Sequence, residues 1–301
     1  MNEVNQRNRI ILTAALLLET VVTAGGQESA KSPSKEALVF LIAGQSNAGG
    51  VAAFSPETNA KAGMSAKHPT IPGSTASEVG IPTTVDAYPR TYIWKPGESG
   101  PFERLTPGKN LRGGYGDPWR HGIELPLAML LEKMYPQADK FFVKHGPSGH
   151  NLHTQWAAGR GPDYVAFIGD YRAAMRGLRK RYDKVRVLGL YWDQGESDRP
   201  NANEYGMHLR VLFAALRKVT GIQDLQIFVR KHLFQQGDKN FEPILNAQVE
   251  VTKEDPDAHL LDLDLGSNDA NFKAWAWTDK NGHLSSKAYL ELSKRILATL
   301  E

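Results

Sequence analysis

The chain has 301 residues, of which 41% are apolar and 23% are charged, a composition typical of a soluble globular protein with a core of its own. Its formal net charge is only +3, from 36 basic and 33 acidic residues, and this balance does not favour nucleic acid as a partner. The chain has no cysteine, which excludes disulfides, a thiol nucleophile and a lipid-modified cysteine anchor.

The N-terminal residues have the pattern of an export signal. Arg7 and Arg9 precede an apolar run from Ile10 to Leu18. This run has the length of a signal-peptide core and is short for a bilayer span. Small residues follow it, so cleavage is expected after Ala24, with a second candidate site after Ala30.

The sequence therefore predicts a signal peptide over 1–24, a small and polar linker over 25–35, and one domain over 36–301. Cleavage of the signal would place the protein in the periplasm or outside the cell. Glu3 and Glu19 depart from the signal pattern, so an uncleaved N-terminal anchor and a buried helix stay open as alternatives.

An apolar run over 37–43 predicts the first buried strand, which stops at Gly44 and is followed by Gln45, Ser46 and Asn47. In a parallel sheet such residues lie at the carboxyl edge, where open α/β folds bind ligands. Ser46 can act there as a nucleophile if a histidine reaches it. Ser46 and Asn47 also suit a helix cap or a tight turn, and both interpretations stay open at this point.

Residues 48–120 form a long insertion that is rich in Gly and Pro and shows no sustained periodicity. A segment of this kind usually carries function or wraps a site. Its aromatic residues could stack on sugar rings, although packing onto the domain is the expected role for most of them. These aromatic residues are Tyr88, Tyr92, Trp94, Phe102, Tyr115 and Trp119.

After residue 120, apolar stretches with strand and helix periodicity alternate along the chain. This alternation predicts a parallel sheet covered by helices on both faces. The predicted strands are 141–143, 185–192, 225–229 and 259–265, and the predicted helices are 123–134, 164–182, 203–219, 243–253 and 285–300.

A glycine-containing segment from Lys144 to Leu152 follows the strand predicted at 141–143. Gly149 can turn a backbone N–H towards a bound oxyanion, because no side chain blocks the approach. The alternative is a glycine-rich connection with no further role.

The segment from Trp192 to Asp198 ends the most apolar strand with polar and charged residues. The Gln194 amide can donate to developing negative charge, and Glu196 can orient that amide or the neighbouring loop. Charges at the end of a buried strand are costly unless they are paired or belong to a site. Ser197 and Asp198 also suit the cap of a following helix, and this interpretation is compatible with the first.

Asp279 and His283 lie just before the last predicted helix. A histidine in this position can return to the tip of the first strand. Asp279, four residues upstream, can hydrogen bond the far imidazole nitrogen and fix the orientation of the ring.

The remaining histidines are alternatives to His283 as the residue that reaches the serine. His150 and His153 also suggest a metal site. Their spacing in a glycine-containing loop supplies no clear third ligand. The serine and histidine chemistry expected here needs no metal and no organic cofactor.

Four segments of this chain together resemble the SGNH hydrolase superfamily, and more narrowly the GQSN-type carbohydrate acetylesterases. These include the sialate O-acetylesterase domain and carbohydrate esterase family 6, to which acetylxylan esterases belong. The motifs are short, but they occur in family order across roughly 37–301. The resemblance implies an α/β protein with the three-layer α/β/α SGNH hydrolase fold, a flavodoxin-like central parallel sheet, and ester hydrolysis through an acyl-enzyme. The motifs are Gly44-Gln45-Ser46-Asn47, Ser148-Gly149, Gln194-Gly195-Glu196-Ser197-Asp198 and His283-Leu284-Ser285.

By this resemblance Ser46 is the nucleophile and His283 the base. The Ser46 N–H, the Gly149 N–H and the Gln194 side chain would form the oxyanion hole. Glu124 belongs to a motif that resembles the family's Gly-x-Glu at the start of the first long helix, and structural support near the third motif is its expected role. The supporting residues expected are Gln45, Asn47, Glu124 and Glu196.

The chain departs from the family pattern at two motifs. The superfamily places an aspartate three residues before its histidine, whereas this chain has Lys280 there and Asp279 one position further away. Asp279 is the predicted third member of the triad, and a Ser–His dyad assisted by a backbone carbonyl is the alternative. Ser148-Gly149-His150 stands where Gly-Gly-Thr is usual, so His150 is expected to narrow the acyl pocket or to contact substrate.

The predicted function is that of a serine esterase that removes O-acetyl groups of the acetylxylan or sialate type. An acetylated oligo- or polysaccharide is the expected partner, with no nucleic acid and no membrane apart from an N-terminal anchor if the signal is retained. Two alternatives stay open. One is a non-catalytic carbohydrate-binding protein on the same fold, and the other is an esterase for short-chain esters that are not sugars.

Overall fold

A central sheet organises the residues that the computed structural model describes, which are 35–61, 72–94, 102–108, 120–232, 239–263 and 283–301. The strands are β1 (Glu36–Gly44), β2 (Ala52–Ala53), β3 (Thr91–Trp94), β4 (Phe102–Arg104), β5 (Arg120–His121), β6 (Asp139–His145), β7 (Lys184–Asp193), β8 (Ile227–Arg230) and β9 (Ala258–Leu261). The α-helices are α1 (Ser46–Gly49), α2 (Pro56–Lys61), α3 (Glu124–Met134), α4 (Pro162–Arg179), α5 (Tyr205–Thr220), α6 (Glu242–Glu254) and α7 (Ser286–Leu300).

Within these residues the main sheet has seven strands in the order β4-β3-β6-β1-β7-β8-β9. All neighbouring pairs are parallel except β3 and β4, which are antiparallel at one edge. The run β6-β1-β7-β8-β9 has the flavodoxin-like order 2-1-3-4-5 when its strands are numbered along the chain. The predicted parallel sheet of flavodoxin type is therefore confirmed. Strands β2 and β5 pair separately as a short antiparallel ribbon.

The central strand β1 sends alternate side chains into two separate cores, as strand geometry requires. Leu38, Phe40 and Ile42 pack with α3 and α7 on one face. Val39 and Leu41 pack with α4, α5 and α6 on the other face. Helices thus cover both faces of the sheet, and the predicted three-layer α/β/α architecture is confirmed.

The described parts of the 48–120 insertion contain regular structure that the sequence pattern did not reveal. Strand β3 joins the main sheet beside β6, and β4 extends the same edge. The aromatic side chains pack inward here: Tyr92 stacks on Phe141 at 5.1 Å, and the Trp94 Nε1 donates to Asp170 Oδ1 at 2.9 Å. Phe102 lies 4.6 Å from the Phe141 ring. These aromatics contribute to the core, as expected for most of them; Tyr115 and Trp119 lie outside the described residues.

The predicted helices and strands after residue 120 are present, with small shifts at their ends. Ser285 caps α7, because its Oγ accepts a hydrogen bond from the Ala288 N–H at 3.1 Å. A helix begins near Ser197 and Asp198 as suggested, but neither residue caps it: Gly195 is the N-cap of the 3₁₀ segment and Glu204 that of α5. The Asp198 carboxylate instead accepts hydrogen bonds from the backbone N–H groups of Leu152 and His153, at 2.7 and 3.1 Å. Residues 196–204 form a 3₁₀ segment before α5.

Some predicted features fall outside the described residues: the signal peptide over 1–24, nearly all of the linker over 25–35, and Asp279. In the part of the chain that is described, no helix combines the length and the apolar character needed to cross a membrane. Parallel strands β1, β6, β7 and β8 all end at one edge of the sheet, and the predicted site residues follow these ends.

Candidate active site

A serine hydroxyl and an imidazole meet at the carboxyl edge of β1. The His283 Nε2 lies 3.1 Å from the Ser46 Oγ, although 237 positions separate the two residues in the chain. Ser46 opens the short helix α1 directly after β1, and His283 precedes α7. Both residues are buried. Their separation is that of a hydrogen bond through which a serine proton can pass to a histidine.

Asn47 joins the first motif to the segment that carries the histidine. Its Oδ1 accepts a hydrogen bond from the Leu284 N–H at 3.0 Å, and its Nδ2 donates to Glu196 Oε1 at 3.2 Å. The Tyr289 hydroxyl donates to the Asn47 carbonyl at 2.7 Å. These bonds attach the residue after His283 and the start of α7 to the residue after Ser46.

Gln194 is a meeting point of the first three motifs. Its Nε2 lies 3.2 Å from Gln45 Oε1 and 3.3 Å from the His150 carbonyl, and it also donates to Asp198 Oδ2. The Gln45 Oε1 additionally accepts from the Ser197 N–H at 3.3 Å. All three neighbours of Nε2 are acceptors, which fixes the amide with its nitrogen towards them. The structure thus brings together the predicted residues Gln45 and Gln194 and the loop of Gly149.

Two glycines permit this close approach of backbone segments. Gly44 has φ +144°, and a Cβ there would lie 2.1 Å from the Asp193 carbonyl oxygen. Gly146 lies so close to α1 that a Cβ would meet the Gly49 nitrogen at 2.2 Å. Gly149 itself has φ +74°, a conformation that favours glycine. Side chains at Gly44 or Gly146 would force the first motif away from its neighbours.

The carboxylates that end β7 surround a buried arginine. The Arg230 Nη2 lies 2.6 Å from Asp193 Oδ1 and 2.9 Å from Glu196 Oε1. His232 Nδ1 is 3.1 Å from the same Glu196 oxygen. Burial raises the pKa of Glu196, but the charges of His232 and Arg230 outweigh it and hold that pKa well below its usual range. The charged end of this strand is therefore paired, as its burial requires.

Arg230 was not predicted from the sequence, and His232 was only one of the alternative histidines. A signal for them was present, because both follow the apolar strand predicted at 225–229 and so reach the same sheet edge as the motifs. The sequence suggests Glu196 as a residue that orients the Gln194 amide or the neighbouring loop. In the structure Glu196 contacts Asn47, Arg230 and His232. The carboxylate that holds the Gln194 amide is that of Asp198.

Glu124 is buried at the start of α3. Its Oε1 accepts from the Gly122 N–H at 2.9 Å, and its Oε2 lies 2.8 Å from Lys144 Nζ. These contacts connect the Gly-x-Glu motif to the end of β6, where the second motif begins, rather than to the third motif. His121 beside it has its pKa lowered to about 4, mainly because burial disfavours the charged imidazole.

His150 is held by Asp163 at the N-terminus of α4. The His150 Nδ1 lies 2.6 Å from Asp163 Oδ2, and His145 Nε2 lies 3.1 Å from Asp163 Oδ1. Burial raises the pKa of Asp163, but hydrogen bonds from the two imidazoles reverse the effect and leave this pKa below its ordinary value. Asp163 thereby holds the loop around Gly149 through the His150 side chain, whereas Gln194 contacts the His150 carbonyl.

Comparison with known proteins decides the family. The model of the family described as carbohydrate esterase, sialic acid-specific acetylesterase, matches residues 122–300, which is more than half of the chain. The chain belongs to this carbohydrate esterase family. The esterase assignment predicted from the motifs is thereby confirmed, and the protein is a carbohydrate acetylesterase. The matched residues include His283 and begin after Ser46.

The fold of the esterase is similar to that of solved structures. NanS is 16% identical, with a TM-score of 0.61 over 89% of this chain and 97% of that chain. A protein from Arabidopsis thaliana is 16% identical, with a TM-score of 0.60 over 89% of this chain and 100% of that chain. A carbohydrate acetylesterase from Xanthomonas citri is 12% identical, with a TM-score of 0.50 over 87% of this chain and 55% of that chain. Curated protein sequences gave no match.

Proposed function

We propose that the esterase cleaves O-acetyl esters of carbohydrates through an acetyl-serine formed on Ser46. The observation that carries this proposal is the 3.1 Å separation of Ser46 Oγ and His283 Nε2 at the edge of the sheet. His283 takes the serine proton as Ser46 Oγ attacks the acetyl carbonyl, and it returns that proton to the departing sugar hydroxyl. Water then attacks the acetyl-serine while His283 takes its proton, the bond from Ser46 Oγ to the acetyl carbon breaks, Oγ receives the proton from His283, and acetate is released.

The negative charge on the carbonyl oxygen needs donors during both attacks. We assign this role to the Ser46 N–H, the Gly149 N–H and the Gln194 amide. Loss of one donor of this kind commonly lowers kcat by about 10²–10³. Gln194 supports the assignment because its Nε2 lies 3.3 Å from the carbonyl of His150, next to Gly149. The two N–H groups of Nε2 face Gln45, His150 and Asp198, so one of them must turn from its present acceptor to reach the oxyanion. Asp279 is proposed as the residue that orients His283.

The substrate proposed first is an O-acetylated sialic acid, because the family model that matches the chain is described as sialic acid-specific. Acetylated xylan is the comparison substrate. The test measures acetate release from both, with a p-nitrophenyl ester of acetate and one of octanoate alongside. Faster hydrolysis of octanoate than of any acetylated sugar would contradict the proposed substrate class.

The nucleophile is tested separately with Ser46→Ala. This variant is expected to lose acetate release and to lose labelling by an organophosphate, whereas the unaltered protein gains one adduct on the peptide that contains Ser46. Ser77, an exposed serine in the same part of the chain, provides the control variant Ser77→Ala. An active or labelled Ser46→Ala protein would remove Ser46 as the nucleophile.

We also propose that the protein is exported by its N-terminal segment. Arg7, Arg9 and the apolar run from Ile10 to Leu18 support this proposal. The N-terminus of the mature protein tests it by mass spectrometry. Cleavage after Ala24 or Ala30 is expected, and an intact Met1 on a protein that stays in the cytoplasm would contradict it.

A further inference from the structure

Three side chains outside the serine site converge on one point. His153 Nδ1 lies 3.2 Å from His208 Nε2. The Glu204 Oε2 lies 3.4 Å from the first of these nitrogens and 3.5 Å from the second. Glu204 and His208 are one helical turn apart at the start of α5, and His153 comes from the loop that follows Gly149. The sequence had offered no third ligand for His153, and the fold supplies two.

The two distances to Glu204 fit a shared cation better than direct hydrogen bonds, and the 3.2 Å separation of the two imidazoles fits either. Separations of 3.4 and 3.5 Å exceed the usual range for a carboxylate that accepts from an imidazole. Zinc binds nitrogen and oxygen at about 2.0–2.1 Å with tetrahedral angles, which places its ligand atoms about 3.3–3.4 Å apart. The three measured separations, from 3.2 to 3.5 Å, are close to the edges of such a tetrahedron.

We propose that His153, Glu204 and His208 bind a zinc ion, with water in the fourth position. Two imidazole nitrogens and one carboxylate oxygen form a donor set that suits zinc. The side chains keep 35%, 55% and 19% of their surface exposed, in that order, so the ion can enter from solvent. The site does not depend on the serine chemistry proposed above.

A second group of acidic and histidine side chains is not proposed as a metal site. Asp193, Glu196 and His232 also bring their ligand atoms together. However, the Arg230 Nη2 lies 2.6 Å from Asp193 Oδ1, 2.9 Å from Glu196 Oε1 and 3.2 Å from His232 Nδ1. The guanidinium already supplies the positive charge that these groups need.

Zinc bound by His153, Glu204 and His208 would restrict the movement of the loop that contains Gly149. The backbone N–H of His153 donates to Asp198, whose other oxygen accepts from Gln194. A metal bond from the His153 ring to α5 would therefore hold the loop of Gly149 at one further point, besides its contacts with Asp163 and Asp198. Because zinc would bind the folded chain in preference to the unfolded chain, it should raise the thermal unfolding midpoint.

The test uses the full chain without a histidine tag, freed of metal by a chelator. Titration calorimetry with zinc chloride is expected to give one ion per chain, and elemental analysis after dialysis should give the same ratio. His208→Gln and Glu204→Gln should each weaken zinc binding by more than about tenfold, since loss of even an outer-shell partner costs about 10–100-fold. Glu204 is mostly exposed, so Glu204→Gln is expected to fold normally.

His259→Gln is the matched control, because His259 lies on β9 and hydrogen bonds Gln226 far along the chain from the three ligands. It should bind zinc like the unaltered protein, as should Ser46→Ala. An unaltered protein that binds no zinc at micromolar concentration would overturn the proposal. So would undiminished binding by both His208→Gln and Glu204→Gln.

Discussion

The Asn47 side chain accepts a hydrogen bond from the backbone N–H of Leu284, 3.0 Å away and 237 positions later in the chain. This bond fixes the residue that directly follows His283. The same side chain donates to Glu196, so Asn47 holds the segment of His283 against both β1 and β7. Asn47 is completely buried, and water cannot replace either bond.

Asn47→Ala should therefore lower kcat while it changes KM little. The Leu284 N–H loses its acceptor, which costs about 1–3 kcal/mol of folding free energy when the group stays buried. The shift of His283 should also slow organophosphate labelling of Ser46, a reaction that needs no sugar contact. Asn47→Asp keeps an acceptor for Leu284 but sets a carboxylate against Glu196. Unchanged kcat and labelling in Asn47→Ala would show that Asn47 does not position His283.

Arg230→Met should destabilise the esterase strongly. The change leaves the Asp193 and Glu196 carboxylates buried without their cation, and breaking a buried ion pair typically costs about 3–5 kcal/mol. Urea unfolding at neutral pH measures the loss. Arg210→Met is the control, because Arg210 and Glu254 form an exposed pair, for which a cost below about 1 kcal/mol is expected. Equal losses in the two variants would contradict the role assigned to Arg230.

Gly146→Ala should reduce both stability and activity. The added Cβ would lie 2.2 Å from the Gly49 nitrogen, so the second motif must move away from α1 or α1 must shift with Ser46. The control is Gly169→Ala within α4, where an added Cβ has open space and alanine favours the helix by about 0.5–1 kcal/mol. Thermal unfolding and acetate release measure the two effects. A Gly146→Ala protein as stable and active as the Gly169→Ala protein would rule out the close approach.

The buried His121 should make stability fall with acid. Its pKa is about 4 in the folded protein and near the ordinary 6.5 in the unfolded chain. The unfolded state therefore binds more protons between these values, and stability is lost as pH falls from 6.5 towards 4. The contribution of His121 between pH 7 and pH 5 is about 2 kcal/mol.

His121→Gln should flatten this part of the pH profile. Urea unfolding at pH 5, 6 and 7 measures the free energy of unfolding of the variant and of the unaltered protein. The difference between the two proteins at pH 7 reports the lost packing and the lost hydrogen bonds to Gly122 and Ser286. The difference between the slopes of their free energies against pH reports the lost titration of His121. A slope equal to that of the unaltered protein would mean that His121 carries no pH dependence.

Apolar periodicity was enough to predict the layers of the fold. The fully buried run around Val39 and Leu41 and the amphipathic helices after residue 120 each satisfy one simple pattern. Strands β3 and β4 escaped prediction because they have only 4 and 3 residues and lie among glycines and prolines. Strands this short are stabilised by the neighbouring strand β6 and the Phe141 ring, which are contacts that local sequence does not record.

The meeting of Ser46 and His283 was expected because Ser46 follows the first buried strand, His283 precedes the last predicted helix, and the resemblance pairs the two motifs. Their contact could not be read from spacing and followed only from the order of the motifs. Partners such as Arg230 escaped because a charged residue after a strand usually faces solvent. Only the fold shows that Arg230 is completely buried against Asp193.

The contact between Ser46 and His283 joins the first strand of the sheet to the segment before α7, 237 positions apart. A growing polypeptide on the ribosome therefore carries the hydroxyl long before it gains the imidazole. By the mechanism proposed above, ester cleavage begins only after residue 283 has been synthesised, and a chain released by a premature stop codon before His283 would be inert towards esters inside the cell that makes it.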